Sequence, residues 1–235
     1  MATTKYLNAY GNRVPSVTTV IGKFKGSMGM VYSAWNLGMK GINFREEWDH
    51  KRDIGSCTHE IIEAALLQQE YNSKFTPVQV ERAKVGFESW RLWAKDNELT
   101  FDNPELFDAE LHMVSNVTQC GGTPDLKCYV PTLKKTMVLD WKTSPTLYDD
   151  YKMQIAAYLN FWAEIHPRDP LEAGGIVLLR TDEPGYKFVV FSASELNEAW
   201  EKFKALRLAY ELDLRLTKTH GAAQTHNWAE KKNRK

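Results

Sequence analysis

The sequence predicts an α/β (α+β) fold in which helices flank a central mixed, mostly antiparallel sheet. The first third of the chain carries apolar residues at helical spacing, and the middle changes to the pattern that is typical of strands. The last third returns to a helix, a hairpin and a long amphipathic helix. With 235 residues, 43% of them hydrophobic, the chain is long enough to bury such a sheet between helical layers.

Four helices are predicted before the sheet. Ser16 is a suitable N-cap for the first helix, and Pro77 lies where the first turn of the fourth tolerates proline. A charged stretch over 45–53 separates the second helix from the third. The predicted helices cover residues 15–24, 31–44, 55–69 and 77–97.

Consecutive strands joined by short polar turns follow these helices. The predicted strands cover residues 98–102, 106–117, 123–130 and 136–142, and a second hairpin joins 175–181 to 186–191. A helix is predicted over 149–165 between the two groups, and Ser194 is the predicted cap of the last helix. We therefore expect one domain over residues 1–216 and a basic, flexible tail over 217–235.

The composition argues against several classes of protein. The chain has 30 Lys and Arg against 30 Asp and Glu, so any nucleic acid must bind at a local basic patch. No apolar run is long enough to span a bilayer, and the N-terminus lacks the core of a signal peptide. We therefore expect a cytoplasmic protein without a membrane partner. The three cysteines show no CxxC spacing, which does not support a zinc knuckle or a cysteine-ligated cluster.

The segment from 121 to 142 places two carboxylates and a lysine at spacings that a β-hairpin would bring together. In the expected register, Asp125 lies opposite Lys142, and Lys127 lies opposite Asp140. Because side chains alternate along a strand, Asp125, Asp140 and Lys142 would then share one face. A slip of one residue would break this convergence. Apolar side chains are expected on the other face, at Met137, Leu139 and Trp141.

Two carboxylates this close repel each other, and a divalent cation would relieve the repulsion. Oxygen ligands suit Mg²⁺ or Mn²⁺, and a lysine beside a metal-bound water gives a nucleophile for a phosphodiester. The alternative is that Asp140 and Lys142 are only the polar residues of a half-buried strand, with Asp125 in a turn. The otherwise apolar strand and the Gly-Gly-Thr-Pro-Asp sequence at 121–125 favour a metal site.

These residues resemble the PD-(D/E)XK nuclease superfamily, in the branch that contains RecB-like nuclease domains and phage exonucleases. The resemblance runs from about Pro15 to Tyr158, in the order of the family's motifs. It implies a restriction-endonuclease-like core. The matching elements are Thr123-Pro124-Asp125 ("PD"), Asp140-Trp141-Lys142 ("(D/E)XK"), 151–158 ("QxxxY"), 55–63 ("GxxxHxxxE") and 12–18 ("PSVT").

The resemblance implies a role for each residue of the hairpin motifs. Asp125 and Asp140 would ligate the metal together with the backbone carbonyl of Trp141, and in this branch the histidine, here His59, is also a ligand. Lys142 would orient or activate the water and stabilise charge in the transition state. Family members with iron–sulfur clusters carry clustered cysteines, so no such cluster is expected here.

Four accessory residues have two explanations each. Gln154 and Tyr158, one helical turn apart, would lie against the site and touch DNA or the lysine, or they are ordinary residues of a half-buried face. Glu63 shares a helix face with His59 and is a tentative ligand of a second metal, or an exposed helix glutamate. Glu110, on the strand before the hairpin, is a weaker candidate for an additional carboxylate.

The DNA path is expected along scattered basic residues, whose contacts with phosphates would weaken as salt rises. A helix N-terminus with a hydroxyl suits an anion, so Arg13 and Ser16 are candidates, although capping alone explains Ser16. Trp35, Trp48 and Trp93 could stack on bases, yet a place in the core explains most tryptophans. The other tentative DNA-binding residues are Lys134, Lys135 and Arg180.

The resemblance therefore implies a Mg²⁺-dependent DNA exonuclease that leaves 5′-phosphates and serves phage replication, recombination or DNA degradation. Its partners would be single- or double-stranded DNA ends and a recombination or single-strand-binding protein, in the host cytoplasm if the chain is phage-encoded. Two alternatives remain open. One is a structure-specific endonuclease on the same site, and the other is a catalytically silent nuclease fold that binds DNA or a partner as a scaffold.

Overall fold

The computed structural model describes residues 5–26 and 28–223, with side chains described as far as residue 217. The strands are β1 (Tyr6–Leu7), β2 (Arg13–Val14), β3 (Phe107–Ala109), β4 (Met113–Ser115), β5 (Cys120–Gly122), β6 (Leu126–Val130), β7 (Lys135–Lys142), β8 (Ala173–Leu179) and β9 (Tyr186–Val190). The α-helices are α1 (Val17–Lys23), α2 (Met28–Met39), α3 (Phe44–Leu66), α4 (Pro77–Asp96), α5 (Asp149–Ile165) and α6 (Ala193–Ala223), and a 3₁₀ turn covers Pro104–Leu106.

Five strands form the central sheet in the order β3-β6-β7-β8-β9. Only β7 and β8 are parallel, and the other three neighbouring pairs are antiparallel. The predicted mixed, mostly antiparallel sheet between helices is therefore confirmed. Two short antiparallel pairs, β1–β2 and β4–β5, lie outside this sheet.

Each face of the sheet packs on its own helical layer. On one face, Val138 and Ile176 pack with Ile155 of α5 and Phe203 of α6. Residues of α1 belong to the same cluster. On the other face, the core joins the sheet to α3 and α4 through Leu139, Trp141, Val177, Ile62, Trp90 and Trp93. The alternation along β7 thus divides the core into two layers, as the pleat requires. Within the residues described, no helix is both long and apolar enough to cross a membrane.

The third predicted helix begins earlier than the sequence indicated. The charged stretch over 45–53 is not a separator but the first turns of α3, which starts at Phe44. Asn43 caps this helix by accepting a hydrogen bond from the Arg45 N–H at 3.1 Å. The acidic residues Glu46 and Glu47 in the first turn stabilise the helix by interacting with the positive end of its dipole. Cap chemistry at Asn43 was therefore the signal that the prediction missed.

Two of the predicted strands differ in the structure. Residues 98–102 form no strand, because the chain leaves α4 through a turn in which Glu98 has a φ of 57° and Leu99 N–H bonds back to Ala94. The predicted strand over 106–117 is broken at Glu110, whose φ is 50°, into β3 and β4. This break redirects the chain toward the short β4–β5 pair.

The last helix is also capped differently from the prediction. The hydroxyl of Ser192, not Ser194, accepts the Glu195 N–H at 3.3 Å, and Glu195 Oε2 accepts the Ser192 N–H at 3.0 Å. This reciprocal pair is a capping box. Helix α6 continues to Ala223, past the predicted start of the tail at residue 217. Residues 224–235, the rest of the predicted flexible tail, lie outside the described residues.

The β6–β7 hairpin has a different register from the predicted one but keeps the predicted faces. Lys127 pairs with Val138, not with Asp140, so the pairing is shifted by two residues. The shift arises because Lys134 adopts a φ of 53° and lets Lys135 pair with Val130. A shift of two residues leaves each side chain on its face, whereas a shift of one would not.

Candidate active site at the open end of the hairpin

A cavity of about 380 Å³ opens at the carboxyl end of β7. Residues of β1, α1, α3, β5, β7 and α5 line it, so elements from both helical layers meet there. Its charged and polar lining includes Lys51, Arg52, Ser56, His59, Asp125, Asp140, Lys142 and Gln154. The cavity therefore brings together Asp125, Asp140 and Lys142 of the hairpin, both "QxxxY" residues, and Gly55 and His59 of "GxxxHxxxE", whereas Glu63 is not among its lining residues.

Asp125 is fixed by hydrogen bonds to two different elements. Its Oδ1 contacts His59 Nδ1 of α3 at 3.0 Å, and its Oδ2 accepts the backbone N–H of Trp141 at 2.7 Å. The carboxylate is buried. Because both oxygens have a partner, the Asp125 side chain is oriented by the fold before any ligand binds.

Asp140 and Lys142 form a buried ion pair beside Asp125. The carboxyl of Asp140 is only 2% exposed. Burial, followed by repulsion from Asp125, raises the pKa of Asp140 to about 6 against the opposing effect of Lys142. Desolvation lowers the pKa of Lys142, but the carboxylates of Asp140 and then Asp125 raise it by more. The pKa of Lys142 is therefore above its usual value. Lys142 is thus a cation in the metal-free protein.

Helix α5 supplies the polar contact to Asp140 from the other side. Gln154 Nε2 donates to Asp140 Oδ1 at 3.0 Å and lies 2.8 Å from the Tyr158 hydroxyl, which accepts from it. Both residues are buried. Gln154 and Tyr158 therefore face the site. Gln154 contacts Asp140, and the two residues contact each other. The sequence had predicted contact with DNA or with the lysine. Their functional roles stay a prediction.

Three further titratable side chains surround Asp125. Desolvation lowers the pKa of His59, but the charge and hydrogen bond of Asp125 raise it above its usual value. Burial, followed by Glu60 and Asp125, raises the pKa of Glu63. Burial and then Asp125 raise the pKa of Glu110 to about 8. The tentative carboxylates Glu63 and Glu110 therefore lie within electrostatic reach of the site, and the ligand roles of His59 and Glu63 stay predictions.

Close backbone approach explains the paired glycines before Asp125. A Cβ on Gly122 would lie 2.3 Å from the Tyr158 ring, and one on Gly121 would lie 2.2 Å from the Tyr6 ring. The Gly121 N–H also donates to the carbonyl of Pro15 at 2.9 Å. The "PSVT" and "Gly-Gly-Thr-Pro-Asp" segments are therefore neighbours in space.

The tentative DNA-binding residues are not all near the cavity. Ser16 lines it and caps α1 by accepting the Thr19 N–H at 3.0 Å. Arg13 lines an adjoining cavity of about 300 Å³ together with Ser16. Lys134 and Lys135 lie at the turn end of the hairpin, roughly 15–20 Å from Asp140 along β7. DNA contact by any of these residues stays a prediction.

Arg180 lies at the end of β8, where Asp182 and Glu183 neutralise its charge. The sequence analysis overlooked Lys51 and Arg52, which line the cavity from α3. Since the helix was expected to start at Gly55, these cations were assigned to a loop. Continuing the helix back from His59 by two turns would have placed both next to the site.

The side chains around the cavity suit a metal ion that takes few protein ligands. Among the described side chains, no three His, Cys, Asp or Glu residues are arranged to enclose a metal by themselves. Mg²⁺, however, keeps several waters and binds through one or two carboxylates plus substrate phosphates. Asp140 Oδ2 is buried, and in the part of the chain described its polar contact is the ammonium group of Lys142. A carboxylate oxygen that only a lysine compensates, beside a second carboxylate, fits a hard cation with few protein ligands.

The chain was compared with known families, curated proteins and solved structures. No family model and no curated protein matches it. A structure described as a "putative exonuclease" from Eubacterium rectale is similar over 65% of this chain and 64% of its own length, with 10% identity and a TM-score of 0.45. The structure of a protein named SSO0001 is similar over 66% of this chain and 72% of its own length, with 14% identity and a TM-score of 0.28. Likeness at this level carries no argument about function, which has to come from the site.

Proposed function

We propose that this protein is a divalent-metal-dependent deoxyribonuclease of the PD-(D/E)XK kind. The observation that carries the proposal is the convergence of Asp125, Asp140 and Lys142, with His59 and Gln154 as hydrogen-bond partners, in one open cavity. A scaffold has no physical need for two buried carboxylates and a lysine, whose desolvation is costly. A phosphodiester hydrolase needs all three.

Asp125 and Asp140 would hold the ion, Mg²⁺ or Mn²⁺, together with the backbone carbonyl of Trp141 and with His59. The bound ion would supply a more acidic water and polarise a phosphoryl oxygen. The hydrogen bond from Gln154 to Oδ1 of Asp140 leaves Oδ2 directed at Lys142. Gln154 therefore orients the carboxylate for its ligand role.

Lys142 would act as a fixed positive charge. Its ammonium group lies in an ion pair with Asp140 at the cavity, where it would orient or activate the attacking water and stabilise the phosphorane-like transition state. The water oxygen bonds to phosphorus and the P–O3′ bond breaks. The O3′ atom takes up a proton, which gives a 5′-phosphate and a 3′-hydroxyl.

The finer proposal is an exonuclease that acts on DNA ends in phage replication, recombination or DNA degradation, with a recombination or single-strand-binding protein as a partner. It rests on the ordered motifs from residue 15 to residue 158. Covalently closed circular DNA tests this point. An exonuclease leaves the circles intact, whereas a structure-specific endonuclease nicks them.

Digestion of end-labelled linear DNA in Mg²⁺ tests the proposal itself. We expect Asp140→Asn and Lys142→Ala to lower the cleavage rate by about 10³-fold or more, since each removes charge that acts on the transition state. Lys127→Ala is the matched control. Lys127 lies on the same hairpin, its side chain is as buried as that of Lys142, and it pairs with Asp108 outside the cavity. Equal digestion by wild type and the Lys142 variant, or no digestion by the wild type, would overturn the proposal.

A further inference from the structure

Helix α2 is the least buried helix of the described chain, although it is strongly apolar. None of its twelve residues is buried. Tyr32 is 65% exposed and Trp35 is 58% exposed, and Met28 and Met39 are more exposed still. We call these four side chains the α2 stripe. Exposed apolar surface of this extent on a soluble domain usually marks a binding site.

The α2 stripe has the geometry of a stacking surface. Residues 28, 32, 35 and 39 follow the spacing of one helix face. The rings of Tyr32 and Trp35 lie 6.1 Å apart between centroids, at an interplanar angle of 30°. The opposite side of the helix, which includes Ala34 and Leu37, is half-buried. The two rings therefore point away from the protein.

The charge around the stripe suits an anionic ligand. From Lys23 to Arg45 the sequence contains four cations and no Asp or Glu, although the whole chain has equal numbers of both. Lys23 and Lys25 pair with acidic residues of other helices. Lys40 follows Met39 directly, and Arg45 lies at the start of α3 over the Phe44 ring. Neither makes an ion pair with a residue that the structure describes, so two cations close to the stripe in sequence are available to phosphates.

The position of α2 connects it to the candidate active site. It follows α1 in the chain and packs against α3. Thr18 of α1 and Lys51 and Arg52 of α3 line the catalytic cavity. Helix α2 therefore neighbours two elements that line the cavity, although none of its own described residues does.

We infer that the α2 stripe binds single-stranded DNA, with bases stacked on Tyr32 and Trp35, and holds that strand beside the cavity. Bases within a duplex already stack on each other, so only unpaired bases can use aromatic side chains in this way. The inference rests on the proposed function for the nature of the ligand and adds the substrate class. A membrane or a second copy would also cover apolar surface, but neither accounts for two neighbouring rings on a helix that packs against α3, which lines the candidate cavity.

Fluorescence anisotropy of a labelled homothymidine oligonucleotide, with the full chain in EDTA, tests the inference without cleavage. The variant Tyr32→Leu/Trp35→Leu keeps the apolar character and removes the aromatic rings. We expect it to bind at least about tenfold more weakly, since stacking contributes ~1–3 kcal/mol per base. Tyr32→Phe/Trp35→Phe keeps the rings and should bind nearly as well as wild type. Tyr129→Leu, which removes a comparably exposed ring near the turn end of the hairpin, should leave binding unchanged.

Equal binding by the wild type and the leucine variant would overturn the inference, as would equal losses in the leucine and phenylalanine variants. A membrane site would be indicated if the wild type but not the leucine variant sedimented with anionic lipid vesicles, and a dimer interface if the wild type alone dimerised on a sizing column. Either result, together with equal oligonucleotide binding by the two proteins, would also overturn the inference. Binding in EDTA separates the two proposals. Loss of binding in the leucine variant without cleavage by the wild type would refute the nuclease alone. Cleavage that depends on Lys142 but not on Tyr32 and Trp35 would refute the stripe alone.

Discussion

The two faces of β7 show how one strand serves both the core and the candidate site. On one face, Leu139 and Trp141 are buried among aliphatic residues of α3 and aromatic residues of α4 and the sheet. On the other face, Val138 belongs to the core, but Asp140 and Lys142 follow it toward the carboxyl end. The apolar face stabilises the strand, whereas the charged end of the other face destabilises the folded state because its charges lose contact with water. Stability and chemistry should therefore be separable by mutation.

The largest effect is expected from the apolar face. Trp141→Ala should lower the free energy of unfolding by about 3–5 kcal/mol, because it removes a fully buried indole and leaves a cavity. Urea unfolding followed by circular dichroism measures the change. Asp140→Asn, on the preceding residue, removes a buried carboxylate that Asp125 repels, so it should change stability far less while it abolishes cleavage. If both variants lost stability equally, the two faces would not have separate roles.

The second-largest effect is expected from Gln154, the residue that orients Asp140. Gln154→Leu should lower the cleavage rate or the affinity for Mg²⁺ by about 10–100-fold, since it removes the donor to Asp140 Oδ1 at similar volume. Calorimetric titration measures the affinity for Mg²⁺, and steady-state kinetics measure the cleavage rate. Asn160→Leu is a control on the same helix, because among the described residues the Asn160 side chain bonds only to the carbonyl of Ala156. Wild-type values for the Gln154 variant would show that α5 only packs against the site.

The pH dependence of Mg²⁺ binding should further separate the charged face of β7 from its apolar face. Asp140, with its pKa of about 6, carries a proton below that value and is then a poor ligand. Mg²⁺ binding should therefore weaken about tenfold per pH unit as pH falls below 6. Glu110→Gln serves as the control, since Glu110 is already neutral at those pH values. A wild-type profile that stayed flat between pH 5 and pH 7 would contradict a ligand role for Asp140.

The same pKa shifts predict the stability of the metal-free protein. The pKa values of Asp140 and Glu110 are raised in the folded state, so their contribution to stability is present below about pH 4 and is lost as pH rises through 6 and 8. The melting temperature in EDTA should therefore fall as pH rises from about 4 to about 8. Asp140→Asn should flatten the part of this fall below pH 6, and Glu110→Gln should flatten the part that extends to pH 8. Added Mg²⁺ should offset the fall in the wild type.

The smallest effect is expected at the other end of the hairpin. Lys134→Ala and Lys135→Ala should change cleavage less than about twofold, because both lie far from the cavity along β7. Cleavage at two salt concentrations measures any contribution to DNA affinity, since a lost phosphate contact lowers the salt dependence. A large loss at low salt would mean that the DNA path extends along the whole hairpin.

The sequence by itself determined which residues share a face. The alternation of β7 and the cap at Ser16 follow from local rules, so the grouping of Asp125, Asp140 and Lys142 survived an error in the hairpin register. Tertiary structure decided the register itself, the single long α3, and the hydrogen bond from Gln154 to Asp140. These features depend on contacts between residues distant in sequence and on left-handed turns at non-glycine residues such as Lys134. The burial that raises the pKa of Asp140 likewise exists only once α5 covers the sheet.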